Sequence, residues 1–131
     1  MSAHYVRALT ESWLSGLGIG APPYYPTVNF ETLPTDTVWL TAEWSSLGAT
    51  KETYCDTFVE DGEIRLVFFG QPGTGYAALF ATAEAVSEEF FMNIDPQQKL
   101  ILTALDPPDE FSSQSEPWFI VEVSVTYQYR K

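Results

Sequence analysis

The fold of this chain is decided near its C-terminus, by the segment Trp118-Phe119-Ile120-Val121-Glu122-Val123-Ser124-Val125-Thr126-Tyr127-Gln128-Tyr129. Apolar residues occupy every odd position from Phe119 onward, and the even positions are mostly polar. Because successive side chains of a β-strand point to opposite faces, the pattern predicts a strand over residues 118–129 with one buried face. At about 3.3 Å per residue, such a strand spans roughly 40 Å.

Four shorter segments also predict strands. The first is residues 28–30. Residues 37–44 alternate strictly between two faces, and residues 64–69 and 100–105 are rich in apolar residues. The buried face of the second segment is expected to carry Val38, Leu40, Ala42 and Trp44.

Two segments have the periodicity of amphipathic helices. Residues 3–15 repeat apolar side chains at the spacing of a helical face, through Val6, Leu9 and Trp13. Residues 76–92 do the same through Leu79, Ala83, Val86 and Phe90. The order of elements therefore predicts a single α+β domain over residues 1–131. Its mainly antiparallel or mixed sheet of four to five strands packs against two helices.

Two polar connections separate these elements. Residues 45–62 predict a long loop or an extension of a β-hairpin, and residues 106–117 predict a proline-bearing loop. Both contain aromatic residues, and exposed aromatic side chains often anchor protein interfaces. We therefore expect a protein interface at Tyr54, Asp56, Phe58 and Glu60 in the first connection and at Glu110 and Phe111 in the second.

Composition limits the classes of partner. The chain has 131 residues, 18 acidic against 6 basic, and a formal net charge of −12. Binding to nucleic acid depends on Lys and Arg that neutralise phosphates, and an anionic membrane repels an acidic protein, so neither is expected as a binding partner. The single cysteine, Cys55, excludes an internal disulfide, and with the single histidine, His4, it is too little for a structural zinc site.

Of all segments in the chain, the glycine-rich residues 70–75 most resemble a ligand-binding motif. A phosphate-binding loop would need Lys and Ser/Thr after Gly75, where Tyr76 and Ala77 stand. The looser dinucleotide pattern is met, with Asp95 at the position of a ribose ligand, but the repeated strand–helix–strand units of that fold are missing. The segment is better interpreted as a turn in which Thr74 caps the second helix.

No catalytic site or cofactor is expected. The only candidate base for Cys55 is His4, which lies far away in the sequence. Acidic residues of the two connections could coordinate calcium, but they lack the spacing of a calcium-binding loop. The N-terminus lacks the apolar stretch of a signal peptide, and no segment has the length of a transmembrane helix, so we expect a soluble protein from a reducing compartment.

The chain resembles the tail terminator (tail-to-head joining) proteins of long-tailed bacteriophages over nearly its whole length. The resemblance lies in the order of the elements and in several local segments. These are Pro26-Thr27-Val28-Asn29-Phe30-Glu31, Val38-Trp39-Leu40-Thr41, Glu63-Ile64-Arg65-Leu66-Val67-Phe68-Phe69 followed by Pro72-Gly73-Thr74-Gly75, the helix ending in Glu89-Phe90-Phe91, and Trp118-Phe119-Ile120-Val121-Glu122-Val123-Ser124-Val125.

The resemblance implies a structural protein of the virion, assembled in the host cytoplasm, and no enzymatic step. Its partners would be further copies of itself in a homohexameric ring, the tail tube protein and the head–tail connector. Genomic DNA would pass through the ring without specific binding. Two alternatives stay open: another head–tail or neck completion protein, and a small-ligand-binding α+β domain.

Overall fold

The computed structural model describes residues 2–17, 23–24, 38–51, 58–70, 76–111 and 119–130. These residues form two helices and five strands, an α+β fold as predicted. In chain order the elements are α1 (Ser2–Ser15), β1 (Trp39–Lys51), β2 (Phe58–Gly70), α2 (Tyr76–Phe91), β3 (Leu100–Leu105), β4 (Asp109–Phe111) and β5 (Phe119–Arg130).

The last strand, β5, lies at the centre of the sheet. The strands are ordered β1-β2-β5-β3, and each neighbouring pair is antiparallel. One edge of β5 pairs with β2 over its whole length, from Phe119 opposite Gly70 to Arg130 opposite Val59. The other edge is shared between β3 and β4, which follow each other along it. The strand predicted from alternation is therefore the one that holds the sheet together.

The two helices cover one face of the sheet, where the main hydrophobic core lies. The odd-numbered apolar residues of β5 all point into it, which confirms the predicted alternation. The predicted faces of β1 and α2 are confirmed as well, and alternate residues of β2 also point into this core. Those residues are Val38, Leu40, Ala42 and Trp44 of β1, with Val38 just before the strand, Ile64, Leu66 and Phe68 of β2, and Leu79, Ala83, Val86 and Phe90 of α2.

A second, smaller cluster lies on the opposite face of the sheet. The Trp39 side chain is fully buried there and stacks on Phe69, with ring centroids 3.9 Å apart and planes 5° from parallel. Val67 and Ile120 complete the cluster. The two strands of the hairpin therefore bury apolar side chains on both faces at this end of the sheet.

Helix α1 joins the core through apolar and polar contacts together. Val6 and Leu14 are buried. Thr10 is also fully buried, and its hydroxyl oxygen accepts a hydrogen bond from the Trp44 indole nitrogen of β1 at 2.9 Å. The Arg7 guanidinium lies over the same indole ring, 4.7 Å from its centre. These contacts attach the helix to the outer strand of the sheet and fix its rotation.

The described elements match the sequence predictions, with one correction. In residues 45–51 and 58–62 the backbone groups of β1 and β2 keep pairing beyond the predicted strand ends at residues 44 and 64, so this part of the connection is the hairpin extension, the second of the two predicted alternatives. Residues 106–117 are not wholly a loop, because β4 within them pairs with β5 beyond the end of β3. The predicted strand 28–30 and the proposed cap Thr74 lie outside the described residues.

None of the helices in the described part of the chain is long and apolar enough to cross a membrane.

Gly62 of β2 is a position at which any side chain would disturb the core. A Cβ atom added there would lie 2.2 Å from the ring of Tyr127, its cross-strand neighbour, and Tyr127 is itself buried. We expect Gly62→Ala to lower the free energy of unfolding by about 1–3 kcal/mol, since the ring must shift within a packed core. Urea or thermal unfolding measures this change.

The matched control is Gly16→Ala at the end of α1, where an added Cβ meets nothing closer than 3.4 Å. It should leave the stability nearly unchanged. Equal stabilities of the two variants would contradict the close approach of Tyr127 to Gly62.

Candidate interaction surfaces

The first candidate surface is the distal half of the β1–β2 hairpin, residues 45–51 and 58–63, which we call the hairpin arm. The pairing of the two strands shifts between Ser46 and Gly48, so that Leu47 is an extra residue in β1. Gly48 follows with φ of 120°, a conformation that favours glycine. The bulge leaves the Leu47 side chain 63% exposed. A large apolar side chain at an irregular point of a strand is a plausible anchor for a protein contact.

Two of the predicted interface residues lie in the described part of the hairpin arm. Phe58 begins β2 opposite Lys51, and Glu60 is half-buried between Ala49 and Tyr129 on the neighbouring strands. The other two predicted residues of this connection, Tyr54 and Asp56, lie outside the described residues.

The remaining predicted residues, Glu110 and Phe111, lie in β4. They stand opposite Val121 and Ile120, near the start of β5, whereas Glu60 stands opposite Tyr129 near its end. At about 3.3 Å per residue, these positions are roughly 25 Å apart along β5. The fold therefore places the two predicted groups at opposite ends of the sheet, where they do not form one continuous patch.

The second candidate surface is a row of charged side chains on the sheet face opposite the helices, which we call the acidic stripe. It consists of Glu43, Asp61, Glu63, Arg65, Asp109 and Glu122. The Arg65 guanidinium lies 3.3 Å from the Glu43 carboxylate and 3.9 Å from that of Glu122. The Ser124 hydroxyl donates a hydrogen bond to Glu63 at 2.9 Å. Within the acidic stripe, Arg65 is the one cation and lies beside two carboxylates, so the stripe carries more negative than positive charge.

Glu122 lies at the most crowded point of the acidic stripe. It stands directly opposite Asp109 in the β4–β5 pairing and beside a polar pocket of about 350 Å³ that Asp106 also lines. Burial raises the pKa of the Glu122 carboxyl. Arg65 counteracts the rise, while the carboxylates of Glu43, Asp109 and Glu63 add to it. The ionised form of Glu122 is therefore disfavoured in the folded protein.

The third candidate surface is an open groove of about 650 Å³ between α1 and the turn that leads into β3. Its lining includes His4, Tyr5 and Leu9 of α1, Tyr129 of β5 and Gln97 of the turn. The Tyr5 and Tyr129 rings are in contact, with centroids 5.5 Å apart. At the base of the groove lies Asp95, which is 2% exposed. Side chains of this kind suit a small polar ligand with an apolar part.

Asp95 organises the groove through its hydrogen bonds. Its carboxylate accepts bonds from the backbone amides of Gln97, Lys99 and Leu100 and from the Tyr5 hydroxyl, the last at 2.8 Å. Burial alone would raise the pKa of Asp95, but these donors outweigh it, so that the pKa lies below its ordinary value. Burial, together with the nearby carboxylate, raises the pKa of Tyr5 to about 12. Asp95 is thus ionised and Tyr5 neutral across the physiological range.

The charged clusters do not assemble a metal centre within the described part of the chain. No group of three or more His, Cys, Asp or Glu side chains there could hold a metal ion. His4 is exposed and lines the groove. Cys55, for which His4 was the only candidate base, lies outside the described residues.

Sequence reasoning missed several exposed apolar residues. Besides Leu47, the side chains of Met92, Ile94 and Ile101 are more than half exposed. Met92 and Ile94 lie at the end of α2 and in the turn that follows it, and Ile101 lies in β3. Periodicity alone did not separate these residues from core positions. Only Leu47 could have been recognised from the sequence as an exposed apolar residue, because it precedes Gly48 within a polar segment.

Glu122→Gln tests the electrostatics of the acidic stripe. Because the pKa of Glu122 is higher in the folded than in the unfolded chain, the protonated carboxyl favours the fold. This contribution is complete at a pH below the ordinary pKa of 4.5 and is lost as the pH rises through the raised pKa. The variant should therefore be more stable than the wild type at neutral pH, by less than about 1 kcal/mol because the side chain is partly exposed. Thermal unfolding between acid and neutral pH should show this difference disappearing in acid.

The control is Glu43→Gln, at the more exposed partner of Arg65. It should give no gain at neutral pH. If Glu122→Gln were the less stable protein at neutral pH, the crowding of carboxylates around Glu122 would be refuted.

Asp95→Asn should show the opposite dependence on pH. Because the pKa of Asp95 is lower in the folded than in the unfolded chain, ionised Asp95 stabilises the fold. This stabilisation is complete at a pH above the ordinary pKa of 3.8 and is lost as the pH falls through the lowered pKa. We expect the variant to lose about 1–3 kcal/mol of stability at neutral pH, since a buried acceptor of four donors is weakened. Its difference from the wild type should narrow in acid. A difference that widens in acid would contradict the assignment.

No protein-family model matches the chain, and no curated protein matches it significantly.

Proposed function

We propose that the chain is a structural virion protein that caps the completed tail tube of a long-tailed bacteriophage. It does so as a homo-oligomeric, hexameric ring at the tail–head junction, which stops polymerisation of the tube and forms the docking surface for the head connector. Its partners are further copies of itself, the tube protein and the connector. It carries out no reaction and needs no cofactor.

The observation that carries this proposal is the correspondence between the resembling segments and the regular elements. Residues 38–41 lead into β1, residues 63–69 lie within β2, and residues 89–91 end α2. Residues 119–125 lie within β5. Four of the six resembling segments therefore lie on the strands and the helix that build the sheet and its cover, whereas residues 26–31 and 72–75 lie outside the described residues. A resemblance confined to one motif would carry much less weight.

The hairpin arm supports an assembly role. It extends β1 and β2 past the predicted strand ends and carries the exposed Leu47 at its bulge. Ring subunits joined head to tail need two different complementary surfaces on each copy. The hairpin arm supplies one such surface.

The charge of the chain fits the passage of DNA through the ring. Each copy contributes a formal net charge of −12, and the acidic stripe concentrates carboxylates on one face of the sheet. A lumen lined by that face would repel the phosphates of a duplex, which must slide through without adhering. A neutral or basic lumen in the assembled ring would contradict this part of the proposal.

The decisive experiment adds the purified chain to a polymerising tail tube protein and follows the tubes by electron microscopy. We expect tubes that stop growing and carry a ring at one end. Native mass spectrometry should give six copies in the ring. Tubes that grow unchanged, with the chain unbound, would overturn the proposal.

Leu47→Asp tests the role of the hairpin arm in the same assay. A charge at an exposed apolar anchor should abolish ring formation or capping, because it must be desolvated in the contact. The control is Ala81→Asp on the exposed side of α2, which should cap tubes like the wild type. Equal activity of the two variants would remove the hairpin arm from the interface.

The groove beside Asp95 favours the second candidate, a small-ligand-binding domain. That function predicts a rise in melting temperature with a member of a metabolite panel, and loss of the rise in Tyr5→Phe. The other alternative is another neck completion protein. Binding to the purified connector would favour that function, and binding to the tube protein would favour tail capping.

A further inference from the structure

The strand β3 has an unusual composition for the edge of a sheet. Among the described strands, it lies at the end of the strand order and reads Leu-Ile-Leu-Thr-Ala-Leu, without any charged residue. Each of the other four described strands carries at least two charged residues. Edge strands are normally protected against pairing with another chain by charged side chains, proline, bulges or short length. β3 has no charged residue and no proline, and its protection is limited to its six-residue length and the register shift between Leu102 and Ala104.

Exposed apolar side chains occur in β3 and in the segment that precedes it in the sequence. Of the four large hydrophobic side chains that are exposed in the described residues, three lie between Met92 and Ile101. Ile94 is 82% and Ile101 is 53% exposed. Residues 92–101 contain one acidic and one basic residue, Asp95 and Lys99, so this segment adds no net charge of its own to a contact between two copies.

The outer edge of β3 also offers backbone hydrogen-bonding groups. The Lys99 carbonyl and the Asp106 amide face β5, where they bond Arg130 and Ser124. Backbone groups alternate in direction along a strand, and the pairing of β3 shifts by one residue between Leu102 and Ala104. The amides of Leu102 and Leu105 therefore point away from β5, toward the edge. Such groups are satisfied by an added extended strand.

The charges at the two ends of β3 indicate which strand could pair with its outer edge. Lys99 immediately precedes the strand and Asp106 immediately follows it, and both are exposed, although the Lys99 ammonium group also lies 5.6 Å from the centre of the Tyr5 ring. When two copies of β3 pair antiparallel, the end with Lys99 lies against the end with Asp106 of the second copy, and the contact occurs twice by symmetry. Asp106 also lines the pocket of Asp109 and Glu122, whose negative potential attracts a lysine.

We propose that β3 is a two-fold interface through which a second copy of this chain adds its own β3 antiparallel, continuing the sheet across both molecules. The contact is separate from the head-to-tail contacts of the proposed ring and does not depend on them. The uncharged strand supplies the centre of the interface, and the pairs of Lys99 with Asp106 set its direction.

Sedimentation velocity and native mass spectrometry of the full chain test the proposal. We expect a monomer–dimer equilibrium that shifts toward the dimer with rising concentration. A chain that remains monomeric from low to high micromolar concentration overturns it.

Ile101→Lys introduces a charge at the centre of the proposed contact. Because the side chain is exposed, the fold should persist, while the dimer should weaken by about tenfold or more. The matched control is Ala81→Lys, which adds the same charge at an exposed position of α2. Its dimer should have the wild-type affinity. Ile101→Lys dimers as tight as those of the wild type overturn the proposal.

A charge exchange tests the antiparallel arrangement. Lys99→Glu and Asp106→Lys should each weaken the dimer, and the double variant should restore it, since opposite charges then meet again. Additive weakening in the double variant overturns the antiparallel pairing. If Lys99→Glu fails to fold, Asp106→Lys and Ile101→Lys still carry the test, because neither side chain lies in the core.

Hydrogen exchange locates the contact. The amides of Leu102 and Leu105 should become protected as the concentration rises, and an unchanged exchange rate in a dimeric sample overturns the proposal. These experiments test the β3 interface independently of the tail-capping proposal. Rings or dimers that form equally well with Ile101→Lys refute this interface and leave the capping proposal intact, whereas failure to cap tubes leaves this interface intact.

Discussion

The alternation of β5 is the constraint on which the rest of the structure depends. Its odd-numbered side chains form the centre of the core under both helices, and its two edges supply hydrogen bonds to β2, β3 and β4. A shift of one residue would turn Val121, Val123 and Val125 to the other face and bring Glu122 into the core. The register of β5 therefore determines where α1 and α2 can pack, and with them the groove and the acidic stripe.

The two faces of the sheet carry different physical environments, as two carboxyl groups illustrate. Asp95 is buried beside α1, yet its hydrogen bonds keep it ionised, and it anchors Tyr5 and the turn before β3. Glu122 is less buried on the opposite face, but it shares one guanidinium with other carboxylates, and its ionised form is disfavoured. The number of donors around each group decides the direction of its pKa, more than the depth of burial does. A structural role follows for Asp95, and a role in the surface potential follows for Glu122.

Much of the fold could be predicted because the core elements are long and regular. Helix α2 and strand β3 begin where periodicity placed them, and β5 is offset by one residue. The ends of β1 and β2 could not be predicted, since residues 45–51 and 58–63 are polar and are held by backbone pairing more than by burial. Strand β4 was missed for a related reason. Three residues carry no periodicity, and they pair only because β5 extends beyond the end of β3.

For the candidate surfaces, the sequence by itself determined the fold class, the excess of carboxylates and the presence of aromatic residues in the two connections. Those properties depend on composition and on local periodicity. Only the tertiary structure decided that Glu60 and Glu110 lie at opposite ends of β5, that Asp95 is buried among four donors, and that an uncharged strand forms an edge. Each of these depends on which strands become neighbours. Strand order is set by the packing of residues distant in sequence, which no local pattern contains.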